Sequence, residues 1–300
     1  MGTFIIQNVY ASAPALPKDV AIKKLRIVQV VPKSTPCANN PTVGVPNASP
    51  GKQVLGTVPV EADGSACFRA PAGIPLSFQA LDEQGMAVQV MRSITYLQPG
   101  EVAACIGCHE PRTIAPRGLA DFAQQNLPVP LGGAKRPAGA GLLLALSRPP
   151  SKIEPGPDGS KPLSYPILVQ PVLDKHCVSC HGGTKPAGGI VLTGQPQGRY
   201  TASYNALAPR VSYSAWGRKG KGSFPEVHSE PISRPGYFGA RGSALLKTLL
   251  HSPTCARLAP DELDRLVTWM DANALFYGTF DPADQSRQQR GERITGPKLE

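Results

Sequence analysis

Two stretches, "EVAACIGCHE" at residues 101–110 and "LDKHCVSCHGG" at residues 173–183, each set two thiols three positions apart with a histidine directly after. The groups are Cys105, Cys108 and His109 in the first, and Cys177, Cys180 and His181 in the second. Zinc could use two such pairs as four thiolates, but the pairs stand far apart for a zinc ribbon and each carries its own histidine. Thioredoxin-like redox chemistry would want the motif after the strand of a βαβ unit, and neither copy has that setting. In c-type haem attachment both thiols add to the haem vinyl groups and the adjacent imidazole ligates the iron. Two copies in a chain of 300 residues favour this third chemistry, with two covalently bound haem c groups as the expected cofactors.

The far side of each iron decides between electron transfer and catalysis, because an iron with two strong protein ligands has no vacancy for a substrate. Of five histidines, His109 and His181 are proximal, leaving His176, His228 and His251. His176 directly precedes Cys177 and reads as structural or as a propionate neighbour. His251 ends an expected helix and is the favoured distal ligand of the second haem. His228 lies in the Pro-rich loop "FPEVHSEPISRPGYFG" and could reach either iron. For the first haem, Met91 offers a thioether against a core role, so that haem is the better candidate for an open site. Arg92 and Tyr96 could line its pocket. No catalytic residue is legible.

The elements that must hold these groups differ between the two halves. "IKKLRIVQVV" (22–31), "VLGTVPVE" (54–61) and "IPLSFQALDEQGMAVQVMRS" have the β-branched content and alternation of strands, with Leu76, Phe78 and Ala80 on one face. Asp63-Gly64 reads as a hairpin turn. These strands predict a small antiparallel sandwich over about residues 18–100, placed directly before the first motif. Ser164 and Pro166 open a helix toward the second motif that Pro171 should interrupt. "SALLKTLL" (243–250) and "APDELDRLVTWMDANALF" (259–276) read as helices, the latter with Leu263, Leu266, Val267, Met270 and Ala274 along one stripe. The fold class expected is therefore α+β. A β-rich unit over 1–125 carries the first haem, a Pro/Gly-rich linker spans 126–162, and a helical cytochrome domain over 163–300 carries the second.

Composition sets the outer limits. With 33 prolines and 31 glycines, short elements joined by stiff irregular connections are expected. The net charge of +10 is scattered apart from Arg218, Lys219 and Lys221, and no nucleic-acid-binding motif accompanies it. An acidic redox partner fits this charge better than nucleic acid. No apolar run approaches the roughly 18 residues that span a bilayer. Haem attachment takes place outside the bacterial cytoplasm, so a periplasmic or extracellular location follows. "MGTFIIQNVY" lacks a basic leader region and reads as a strand from a longer protein, with the export signal elsewhere. Outside the motifs stand Cys37, Cys67 and Cys255; the first two could form a bridge or remain buried thiols.

The stretch "LGTVPVEADGSACFRAPAGIPLSFQALDEQGMAVQVMRSITYLQPGEVAACIGCHEPR", the linker "RPPSKIEPGPDGSKPLSYPILVQPVLDKHCVSCHGG" and the tail "LDRLVTWMDANALFYGTF" resemble the middle and C-terminal parts of hydrazine synthase alpha subunits and of bacterial proteins related to them. The resemblance implies a β-rich middle domain with one c-type haem and a helical domain with another, an N-terminal β-propeller being absent here. It also implies His181 and His251 as axial ligands of the second haem. Where the family's catalytic first haem uses a tyrosine four residues after the motif histidine, this chain has Thr113, a poor replacement for phenolate. His109 then serves as the ordinary ligand, and hydrazine synthesis itself is not expected. The function expected is electron transfer by a dihaem c-type cytochrome unit; the alternative is an oxidoreductase whose first haem binds a small nitrogen oxide or peroxide.

Overall fold

The structure, a computed structural model, describes residues 1–37, 40–91, 93–108, 143–215, 234–251 and 258–296. Seven strands build two facing sheets: β1 (Gly2–Ile6), β2 (Lys24–Val31), β3 (Gly51–Pro59), β4 (Ala66–Ala70), β5 (Leu76–Leu81), β6 (Ala87–Val90) and β7 (Val102–Cys105). One sheet has the order β4-β1-β7 and the other β3-β2-β5-β6. Phe4, Phe68 and Phe78 meet between them, Phe78 edge-on to the other two at centroid separations of 5.1 and 5.6 Å. Leu25, Ile27, Leu55 and Leu76 complete this core.

The sandwich reaches further in both directions than the sequence suggests. The opening strand is the middle member of its sheet, antiparallel to β4 and parallel to β7, so the expected all-antiparallel arrangement is corrected to a mixed one. The Asp63-Gly64 turn forms, with Gly64 at φ +82° and Glu61 N donating to Ser65 O at 2.8 Å. It is not a hairpin, because β3 and β4 belong to opposite sheets and the turn carries the chain across the core. The edge of β3 is covered by the chain segment that follows residue 143, through bridges Thr57–Glu154 and Gln53–Pro162. Covering an edge in this way satisfies its amides and blocks pairing with another chain.

The second unit is built from short helices: α1 (Tyr165–Leu168), α2 (Gln170–His176), α3 (Val178–His181), α4 (Ala202–Leu207), α5 (Ala244–His251), α6 (Pro260–Asp271) and α7 (Pro282–Gln289). A two-stranded ribbon, β8 (Pro196–Gln197) with β9 (Tyr200–Thr201), precedes α4. Pro171 has no amide to give the preceding turn, and the chain breaks between α1 and α2 as its position predicts. Ser164 precedes α1 without a side-chain capping bond. Helix α6 stops at Asp271, short of the expected 276, because Asn273 and Ala274 adopt φ of +80° and +50°. Ala274 still enters the core, together with Tyr165, Tyr204, Trp269, Met270 and Phe276.

A buried ion pair joins the two units. Arg26 of β2, 3 % exposed, donates to Asp271 Oδ2 at 2.9 Å and to Gln79 Oε1 at 2.8 Å. Asp271 also accepts the amides of Ala87 at 3.0 Å and Ala240 at 2.8 Å, and Gln79 Nε2 donates to the Asp271 carbonyl at 2.8 Å. The polar face of β5 therefore meets the helices, not water. Relative to an apolar pair such a contact adds little, but removing one partner strands the other. Arg26→Met should lower unfolding free energy in urea by about 3–5 kcal/mol; a loss below about 1 kcal/mol would show that the junction does not depend on it.

Candidate haem sites

The first thiol pair stands where a strand ends. Cys105 closes β7, and the following turn is held by Gln7 N on Cys105 O at 2.9 Å and Asn8 N on Ile106 O at 3.0 Å. Gly107 lies so close to the carbonyls of Asn8 and Ala11 that a Cβ there would collide with both. Cys105, Cys108 and Met91 all border the sandwich core. Burial pushes the Cys108 thiol up to about 12, with Cys105 adding to the shift, so it stays protonated at neutral pH. His109, Thr113, Arg92, His228 and Cys255 lie outside the described residues.

The second motif straddles a helix break. Cys177, at φ −121° and ψ −36°, separates α2 from α3, and Leu173 O accepts its amide at 2.8 Å. Its side chain packs half-buried on the helical core, while Cys180 is exposed; burial raises the Cys177 thiol, and Cys180 adds to this. His181 N returns to Cys177 O at 2.9 Å, which fixes the single turn that carries both sulfurs and the imidazole.

Sequence reasoning missed the histidine tautomers. His181 Nδ1 lies 3.1 Å from Ile190 O, and a carbonyl only accepts, so Nδ1 is the donor and, in the neutral ring, Nε2 is the nitrogen with the lone pair. His251, exposed at the end of α5, makes the same kind of bond to Lys247 O at 2.6 Å. In the neutral form of both imidazoles Nε2 is the nitrogen left without this bond, and a hydrogen bond of this kind is what orients the ring of a metal-binding histidine. Cys177 and Leu249 of α5 border one apolar cluster. The free thiols of Cys177 and Cys180 together with this lone pair fit the donor set that a c-type haem requires.

His176 is engaged elsewhere. Its Nε2 donates to Glu262 Oε2 at 2.9 Å, and Lys175 Nζ reaches Oε1 at 2.8 Å. Cys37 and Cys67 are both free, Cys37 exposed and Cys67 buried, so no bridge joins them. Among the described residues no group of three or more His, Cys, Asp or Glu has metal-site geometry. Among those residues, too, no helix is long and apolar enough to cross a membrane.

A sandwich that ends in one CxxC pair and leads into a helical unit holding a CxxCH motif is the class that fold and site define. Residues 20–110, from just before β2 through the first thiol pair, match the profile of the hydrazine synthase alpha subunit middle domain. Over 191 residues the chain is 27 % identical to hydrazine synthase subunit alpha of Kuenenia stuttgartiensis, a match covering 51 % of this chain and 23 % of that subunit. A solved structure of Kuenenia stuttgartiensis hydrazine synthase superposes on 99 % of this chain and 44 % of its own, with TM-score 0.57 and 18 % identity. Through this middle domain the chain is related to hydrazine synthase alpha subunits, and it spans less than half the length of these relatives.

The Lys175 ammonium, the Ala259 amide and His176 hold the Glu262 carboxyl down to about 2, against 4.5 for a free glutamate. Its stabilising effect is complete above the higher value and lost as pH falls through the lower. The gap in thermal midpoint between wild type and Glu262→Gln should therefore shrink as pH drops from about 4.5 toward 2. A gap that stays constant over that range would contradict the ion-pair assignment.

Proposed function

We propose that the chain is a dihaem c-type cytochrome unit that transfers electrons, with the second site a six-coordinate relay. The observation that carries this reading is the His181 Nδ1 bond to Ile190 O, which leaves Nε2 available beside two free thiols. A haem bound there would supply a one-electron centre whose potential the protein tunes through ligands and burial. Cys177 and Cys180 would anchor it covalently, Ile190 O would orient the proximal imidazole, and His251 would offer Nε2 as the distal ligand. At the first site Cys105 and Cys108 would be the anchors and His109 the axial ligand, with Met91 and His228 as candidates for its far side.

The relation to hydrazine synthase alpha supports a redox role within a larger assembly. The +10 charge favours an acidic redox partner, with association slowing as salt rises. A periplasmic or other oxidising compartment fits thioether attachment.

After expression with haem-attachment machinery, the intact mass should exceed the polypeptide by two haems. An unmodified mass would return the thiol pairs to disulfide or zinc chemistry. His251→Ala should convert the second haem from a six-coordinate low-spin to a five-coordinate high-spin spectrum, and an unchanged spectrum would remove His251 from the ligand set.

A further inference from the structure

We infer that Glu262 is a positioning residue for the second thiol pair: from the first turn of α6 its carboxylate clamps the last turn of α2 and fixes where Cys177 stands. The consequence for haem rests on the function proposed above, whereas the clamp itself is a property of the polypeptide.

Three donors converge on this carboxylate, which is only 6 % exposed. The Ala259 amide reaches Oε2 at 2.8 Å, a local bond that satisfies one free amide at the start of α6. Capping that helix needs nothing more. The other two bonds, from Lys175 at 2.8 Å and His176 at 2.9 Å, come from residues 87 and 86 positions away in the chain. They fall on the last two residues of α2, immediately before Cys177.

An external clamp matters here because the motif does not continue a regular helix. Cys177 departs from helical geometry, and α3 is a single turn of four residues. Backbone hydrogen bonding alone leaves the turn free to fray from the end of α2, as short, sparsely packed segments do. Glu262 closes that route by tying the end of α2 to α6, whose Leu266, Val267 and Met270 lie in the core. The same carboxylate accepts the Ala259 amide at the start of α6. One side chain thus references the thiol pair to one helix.

The test is cysteine alkylation in the haem-free 300-residue chain, with iodoacetamide and site-resolved mass spectrometry. Glu262→Gln keeps the shape but has only one acceptor oxygen, and the pair Lys175→Ala with His176→Ala removes both long-range bonds while leaving the Ala259 bond to Glu262 intact. Each should speed alkylation of Cys177 about tenfold, as expected for local opening. Cys108 should be unchanged and serves as the control for folding. Adding Glu262→Gln to that pair should give no further acceleration, because all three substitutions act on the same two long-range bonds. A wild-type rate at Cys177 in the Lys175→Ala, His176→Ala protein would reduce Glu262 to a helix cap and overturn the inference, as would additive effects. In haem-loaded protein the same variants should lose second-haem occupancy and keep the first. If wild type takes up no haem, the proposed function fails while the alkylation rates still decide the clamp.

Discussion

The ion pair between Arg26 and Asp271 is the constraint on which the arrangement of the molecule depends. It joins a strand near the N-terminal end to the last residue of α6, 245 positions away, and both side chains are withdrawn from water. A charge placed there is costly unless every lone pair and proton finds a partner. Gln79, Gly85, Ala87 and Ala240 supply those partners, drawn from both units. The polar contacts fix the orientation of sandwich against helices more narrowly than apolar packing, which tolerates sliding. Each thiol pair is therefore held in a defined relation to the other unit.

The two sites solve the same problem on different scaffolds. The first thiols stand on a strand end whose turn is locked by Asn8 and by the close approach at Gly107. The second stand on one helical turn, secured by backbone bonds to Leu173 and Cys177 and by packing on the core. Cys108 is the more enclosed environment, and its raised thiol reflects that burial. Cys180 opens to solvent.

Much of this was readable from local pattern. The strands β2, β5 and β6, the break at Pro171 and the start of α6 follow from alternation, proline chemistry and helix-start signals, each decided within a few residues. The pairing of β1 with β7 was not, because a parallel neighbour some hundred residues away leaves no local trace. Ser77 and Gln79 look like a solvent-facing alternation, yet both are buried, Gln79 against Asp271 of α6. Arg26 likewise looks like a surface charge on a strand until Asp271 is placed beside it. The thiol spacing exposed the candidate chemistry, but the histidine tautomers depend on Ile190 and Lys247 carbonyls that only the fold brings near.

The proposed function requires that the Cys177, Cys180 and His181 site hold a haem with both axial positions filled by protein. The optical spectrum of the ferrous protein, recorded with and without carbon monoxide, tests it most directly. The account predicts a low-spin haem that does not react with carbon monoxide, whatever the first haem does. Rapid carbon monoxide binding at both haems would contradict it.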